Sequence, residues 1–471
     1  MNGIFKGEQG ILFLKFSSSQ ESAHHGRLTT MIKRIENIFK SSYFLTVLVS
    51  AGLVLVLLYA FPPFWQSNVT GDQVAKITFA DDITPAYRKV IEMFNEQYKG
   101  KIFVETINIP FSKFSTNQRK ELFTRFFRTK NGQVDVFSVD EIWTARFAKW
   151  CEPLGKYFPP DSEAEILEPV LSSCYFDSTL VAVPFFVDVG LMYYRKDLID
   201  ALPDGAAINS ELRKSMTWDE FVRLGERFDP KRNPFYIFQA DNYEGLMCSL
   251  TEMMAGLNAP LYSNGDFQLQ SKGSLKAVNL MVDLVQKYKI SPEVVTQLRE
   301  NSSFVYCLDH NGVFLRGWPN FEKNFQDSAL SGSWGKRWSR APLPHFAGYP
   351  RVSILGGWNL MISKYSLHKD EALTFIRFLL SKDVQEIMYK EGGYIPANTT
   401  VYEDSSFIRK NPDLGFYLEL LKTGVHRPSL PDYTRASDII SYYVNLAIKQ
   451  RMSPSAALSV ATRMIKSESG Y

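Results

Sequence analysis

Residues Val183–Ile199 read VPFFVDVGLMYYRKDLI. This is a strand-like apolar run that carries one acid, Asp188, and one glycine, Gly190, before the charged turn Arg195-Lys196-Asp197 opens a helix. An acid in so apolar a strand is costly to bury unless it is paired or reaches a cleft. Gly190 lets the backbone bend or lets another group approach it closely. The same residues also fit a buried strand whose Asp caps a turn. Only the surroundings of Asp188 distinguish the two.

On the N-terminal side, KITFADD (76–82), the helical spacing of Tyr87, Ile91, Phe94 and Tyr98, the strand KIFVETINIP, the helix RKELFTRFFR and the strand-helix pair GQVDVFSVDEIWTARFAKW follow one another. This β-α-β-α-β order predicts a doubly wound α/β lobe with its crevice at the C-terminal ends of the strands. Asp81, Asp82, Ser138, Asp140 and Glu141 fall at such ends.

Further upstream, YFLTVLVSAGLVLVLLYAF (43–61) has no charge between Lys40 and Asp72. Nineteen apolar residues nearly span a ~30 Å hydrocarbon core. Arg27, Lys33, Arg34 and Lys40 precede the span, which places residues 1–42 in the cytoplasm and the rest of the chain outside. No small-x-small cleavage site follows, so an uncleaved anchor is expected rather than a signal peptide. Residues 62–75 read as a linker.

At 471 residues the chain is long enough for two or more domains, and 53 basic against 50 acidic residues give no prior for nucleic acid. Aromatics make up 14%, most of them expected in the core. The cysteines Cys151, Cys174, Cys248 and Cys307 form no C-x-x-C pair and the six histidines no H-E-x-x-H, so no metal or other cofactor is expected. Cys151 and Cys174 bracket a 22-residue loop that the topology puts outside the membrane, so a disulfide between them is expected.

Downstream of Asp188, TWDEFVRLGERF opens with a capping box at Thr217 and Glu220. FYIFQADNYEGLMCSLTEMMAGLNA pairs a strand with a helix, and RVSILGGWNLMISKYS is a strand interrupted by Gly356-Gly357 before Trp358.

Taken in order over roughly 76–466, these segments resemble the family 1 extracellular solute-binding proteins of ABC importers, which include the maltose- and trehalose-binding proteins. VPFFVDVGLMYYRKDLI resembles that family's crossover between lobes, DVFSVDEIWTARFAKWCEPL its first sugar-facing turn, NGVFLRGWPNFEKNF its strand and Trp loop, and HRPSLPDYTRASDIISYYVNLAIKQRMSPSAALSVATRMI its C-terminal tail. The resemblance implies a two-lobed, type II periplasmic-binding-protein fold, here following the one N-terminal transmembrane helix expected from 43–61. Lobe 1 would comprise 76–188 and 354–405, and lobe 2 189–353 and 406–471. Two hinge strands lie near Asp188–Leu191 and Ile354–Trp358, and a third crossover is expected near Val401–Pro412.

The resemblance also implies a ligand set of Asp81, Asp140, Glu141, Asp188, Asp241, Tyr243, Trp318, Gly357, Trp358 and Arg427. Acids suit sugar hydroxyls and aromatic faces suit the C–H faces of a sugar ring. Asp140 would equally serve as a helix N-cap, and Trp318 as the edge of a core. The function implied is sugar capture for an ABC permease by a monomeric, membrane-tethered protein that is not an enzyme. A tethered ligand sensor is an alternative. So is a carbohydrate hydrolase, since paired carboxylates also serve glycosidases.

Overall fold

A computed structural model of the chain describes residues 74–468 apart from 112, 115, 320 and 325–336, together with Met31, Thr46 and 49–53. Two compact units divide it, Met1–Gln73 and Val74–Tyr471. Of the expected anchor at 43–61, only Thr46 and 49–53 are described, and they are helical. The rest of that span, and the tail 1–42 but for Met31, lie outside the described residues. Among the described residues no helix is long and apolar enough to cross a membrane.

The second unit is a two-lobed α/β structure. Its first lobe begins with β1 (Ala75–Asp81), α1 (Pro85–Gln97), β2 (Ile102–Asn108), α2 (Thr116–Thr129) and β3 (Val136–Asp140). Helix α1 starts where Thr84 accepts a hydrogen bond from the Tyr87 amide and Pro85 fills the first turn. It buries Tyr87, Val90, Ile91 and Phe94. β1 pairs in parallel with both β2 and β3.

The chain then reaches β4 (Val183–Val189), turns at Gly190 and enters β5 (Leu191–Arg195), which belongs to the second sheet. There follow α3 (Trp218–Gly225), β6 (Tyr236–Ile237), α4 (Glu244–Ala255), α5 (Lys272–Gln286), β7 (Phe314–Gly317) and β8 (Trp338–Ala341). The expected capping box is present: Thr217 Oγ1 accepts from the Glu220 amide at 3.2 Å, and the Glu220 carboxylate accepts from the Thr217 amide at 2.9 Å. The second sheet has the order β8-β5-β7-β6.

The chain returns through β9 (Ser353–Ile362), which pairs antiparallel with both β3 and β4. Helices α6 (Lys369–Leu380) and α7 (Lys382–Gly392) pack on the first lobe, and α8 (Asp413–Leu421) packs against β9 and β4. The next strand to join the hinge is β10 (Gly424–Val425), parallel to the start of β9. Last, α9 (Tyr433–Ile448) packs on α4 and α5, and α10 (Pro454–Glu468) lies on α9 and α5.

Most aromatic rings are core, as expected. Phe79, Phe94 and Phe375 meet edge to face in the first lobe, and Phe221, Phe235 and Phe314 cluster in the second.

Two hinge glycines are required by close approach. At Gly190, whose amide donates to the Ile354 carbonyl at 2.9 Å, a Cβ would stand 2.1 Å from Glu252 Oε1. Gly357 has φ +135°, and a Cβ there would stand 2.5 Å from the Phe186 carbonyl oxygen. Gly357→Ala therefore forces the hinge strands apart and strains the backbone, at an expected cost of roughly 1–3 kcal/mol or more. Urea unfolding measures this, and an unchanged midpoint would contradict the geometry.

The disulfide expected between Cys151 and Cys174 is not formed: all four cysteines are free and buried. Each thiol sits in its own packing site. Cys151 Sγ contacts the Phe147 carbonyl at 3.2 Å and Met361 Sδ at 3.7 Å, whereas Cys174 Sγ lies 4.0 Å from the Ser173 hydroxyl. Burial pushes both thiols up and keeps them protonated. Mass mapping of unreduced peptides should therefore recover Cys151 and Cys174 free, with alkylation only after unfolding. A linked 151–174 peptide would refute this.

Candidate interlobe binding site

The end of β3 positions the first part of the site. Asp140 caps the short helical turn Glu141–Trp143 by accepting from the Ile142 amide at 3.2 Å, and that turn buries Glu141 and Trp143. Opposite, Glu244 begins α4 in the second lobe. Arg427 joins them. Its Nη2 donates to Asp140 at 2.9 Å and lies 3.5 Å from Glu141, while Nη1 donates to Glu244 at 3.0 Å. Glu244 also accepts from the Tyr433 hydroxyl at 2.9 Å and from the Ser437 hydroxyl. Burial raises the carboxyls of Asp140 and Glu244, and the Arg427 charge opposes that rise. One guanidinium thus ties acids from both lobes together.

His426 supports the same turn. Its Nδ1 is 2.8 Å from Glu141 Oε2 and its Nε2 is 2.6 Å from the Pro169 carbonyl. Both ring nitrogens face acceptors, so the imidazolium fits, with the Ser172 hydroxyl a further 3.3 Å neighbour of Nε2. Burial opposes that charge, but Glu141 outweighs it, and the pKa rises from 6.5 to about 9. The folded value lies above the unfolded one. The group's contribution is therefore fully present below pH 6.5 and is lost as pH rises through about 9. It amounts to about 3 kcal/mol at most. Urea midpoints across this range should fall more steeply for the parent than for His426→Gln; parallel curves would exclude the ion pair.

Asp188 lies at the hinge, its Cα opposite Gly356. It is buried, 8% exposed, and its Oδ1 has no hydrogen-bond partner. Burial first, then the charges of Asp140 and Glu141, push its carboxyl up to about 8, with Arg316 pulling the other way. Trp318 stands beside it: a Cβ on Gly356 would meet the indole at 3.2 Å and Asp188 Cβ at 3.4 Å. The Arg316 guanidinium stacks over Trp318 at 4.3 Å and pairs with buried Glu252 at 2.8 Å. Glu252 also takes the Ile354 amide of β9 at 3.4 Å. Trp358 is half-buried, with Phe111 edge-on at 5.3 Å and Arg119 at 5.0 Å.

The structure thus brings together Asp140, Glu141, Asp188 and Arg427, with Trp318 and Asp188 both flanking Gly356 and Trp358 paired in register with Asp140. Gly357 lies in β9 immediately before Trp358, its Cα opposite Val187. Asp81 is instead spent internally: it pairs with Arg119 at 2.7 Å and accepts from the Ser138 hydroxyl and the Asp82 amide. Asp241 pairs with Arg299 at 2.8 Å, and Arg299 lies 5.3 Å from the Tyr243 ring.

The residue-type reading missed His426, Glu252, Arg119 and Phe111. Each acts through a partner far away in sequence, so no local spacing could have marked it. Among the described residues no group of three His, Cys, Asp or Glu side chains is placed to hold a metal ion.

Comparison with known proteins gives the same architecture. Residues 89–415 match the family model described as bacterial extracellular solute-binding protein. A probable ABC transporter-binding protein of Deinococcus radiodurans is 25% identical over 73% of this chain and 82% of its own. An arabinooligosaccharide-binding protein of Halalkalibacterium halodurans is 19% identical over 75% and 79%. The maltose-bound structure of MalE3 from T. maritima superposes with a TM-score of 0.73 at 30% identity, covering 83% of this chain and 99% of that one. The family match spans well over half of the sequence, and its members bind solutes rather than transform them: this chain belongs to the bacterial extracellular solute-binding proteins and is a binding protein, not an enzyme.

Proposed function

We propose that the protein is the extracytoplasmic solute-binding subunit of an ABC importer and captures a sugar, an oligosaccharide, in the cleft between its lobes for delivery to a permease. The observation that carries this reading is the buried, unpartnered Asp188 oxygen beside Trp318 at the hinge. A carboxylate acceptor and an aromatic face are what a hydroxylated ring needs. The maltose carried by the T. maritima relative and the arabinooligosaccharide named for the Halalkalibacterium relative support the ligand class.

In this reading 76–188 with 354–405 form one lobe and 189–353 with 406–471 the other. They close by bending at β4–Gly190–β5 and at β9. Asp140, Glu141, Trp358 and Asp81 belong to one wall; Asp241, Tyr243, Trp318 and Arg427 belong to the other. Asp81 acts there by fixing Arg119 behind Trp358. The segment 43–61 would tether the monomer with its N-terminus in the cytoplasm.

Thermal-shift screening of the full-length protein against sugars, polyols and amino acids tests the ligand class, because a ligand bound only by the folded state raises the midpoint. A response to amino acids alone would refute it. Reporter fusions after residue 75 should be active only with an enzyme that requires export. Cytoplasmic activity there would exclude the importer role.

A further inference from the structure

We infer that the solute carries a basic nitrogen, that is, an amine-bearing sugar whose ammonium pairs with Asp188. This rests on the cleft reading above and narrows its ligand class.

The inference follows from the charges that the cleft leaves unbalanced. Asp140, Glu141, Glu244 and Asp188 bring four carboxyl groups to it. Two cations hydrogen-bond to them: Arg427 to Asp140, Glu141 and Glu244, and His426 to Glu141. Arg316 faces Asp188 electrostatically, but its hydrogen bonds go to Glu252 and Gln239. Lys120 of α2 lies 3.8 Å from Glu121, and its charge also acts on Glu244 but not on Asp188. Asp188 is left over, more than nine-tenths buried, with an oxygen that nothing in the protein satisfies.

A sugar hydroxyl would supply that oxygen with a hydrogen bond but no counter-charge, so the carboxyl, pushed up to about 8, would stay protonated at neutral pH. An ammonium supplies the hydrogen bond and the counter-charge together. Burial and the neighbouring acids push the Asp188 carboxyl up to about 8, a penalty that a bound cation removes.

The test uses matched probes on the full-length protein in detergent micelles, titrated calorimetrically at pH 6.5 with the amine protonated. Glucosamine is compared with glucose, galactosamine with galactose, and the β-1,4 glucosamine disaccharide with cellobiose, with maltose and maltotriose as further neutral sugars. The expected result is that the amine member of at least one pair binds roughly tenfold or more tighter than its neutral partner. Asp188→Asn should bring the two to within about threefold of each other. Should Asp188→Asn fail to fold, the comparison within each pair on the parent protein still decides. If neutral sugars bind and their amines bind no better, the amine inference is overturned while sugar capture stands. An amine preference that survives Asp188→Asn also overturns it. If no sugar of either kind binds, both readings fall.

Discussion

Arg427→Ala lowers the stability of the folded protein by about 3–5 kcal/mol at neutral pH. The side chain is 3% exposed and its two terminal nitrogens serve Asp140, Glu141 and Glu244. Truncation removes the largest influence holding down carboxyls that burial already raises. The cost of an unpaired buried charge exceeds the net worth of the pair itself, which is why deleting one partner is so damaging. The stranded acids relieve part of that cost by taking up protons, so the loss should shrink as pH falls. Arg427→Lys keeps the charge but cannot fork between two lobes, and should fall between parent and alanine. Asp140 and Glu244 come from different lobes, so the alanine variant should also open. Urea unfolding followed by circular dichroism gives the stability, and small-angle scattering gives the radius of gyration. A loss below about 1 kcal/mol would mean that the ion cluster is no more than a surface network.

Asp188→Ala and Trp318→Ala should each weaken solute binding ten- to a hundredfold, the weight of a charged hydrogen bond or a stacking ring, about 1.4 kcal/mol per decade. The two differ in what they do to the empty protein. Asp188 is a buried acid without a partner on one oxygen, so the ligand-free fold carries its cost. Its folded pKa of about 8 lies above the ordinary 3.8, so the stability tied to its protonated form is lost as pH rises through 8. Asp188→Ala removes that loss, and at pH 9 the variant should unfold at higher urea than the parent while binding worse. Trp318→Ala uncovers the Arg316 guanidinium and should not stabilise at any pH. Titration calorimetry on the identified solute reads the first effect and urea midpoints the second. Parent-like binding by both variants would place the cleft elsewhere. A destabilised Asp188→Ala would make this acid a structural element of the hinge.

The alternation of apolar runs with helical spacing was sufficient to read the first lobe in order, because strand and helix periodicities are local properties of the chain. The capping box at Thr217 was legible for the same reason, being written in consecutive residues, whereas the crossover at Asp188–Gly190 followed from the resemblance of VPFFVDVGLMYYRKDLI to a family segment. What the acids do was not. Asp81 and Asp140 occupy the same kind of position at a strand end, yet Asp81 is consumed by Arg119 and Ser138 while Asp140 meets Arg427. The partner of an acid is chosen by packing across the fold, and spacing along the chain carries no record of it. The cysteines make the same point from the other side. Loop length and compartment favoured a bridge, but burial in separate packing sites leaves both thiols free. The sequence alone therefore determined the order of elements and, through its resemblance to a family, the expected position of the crossover strands and the residue types along them. Tertiary structure decided which charges are neutralised within the protein, and which buried acid, Asp188, keeps an oxygen without a partner.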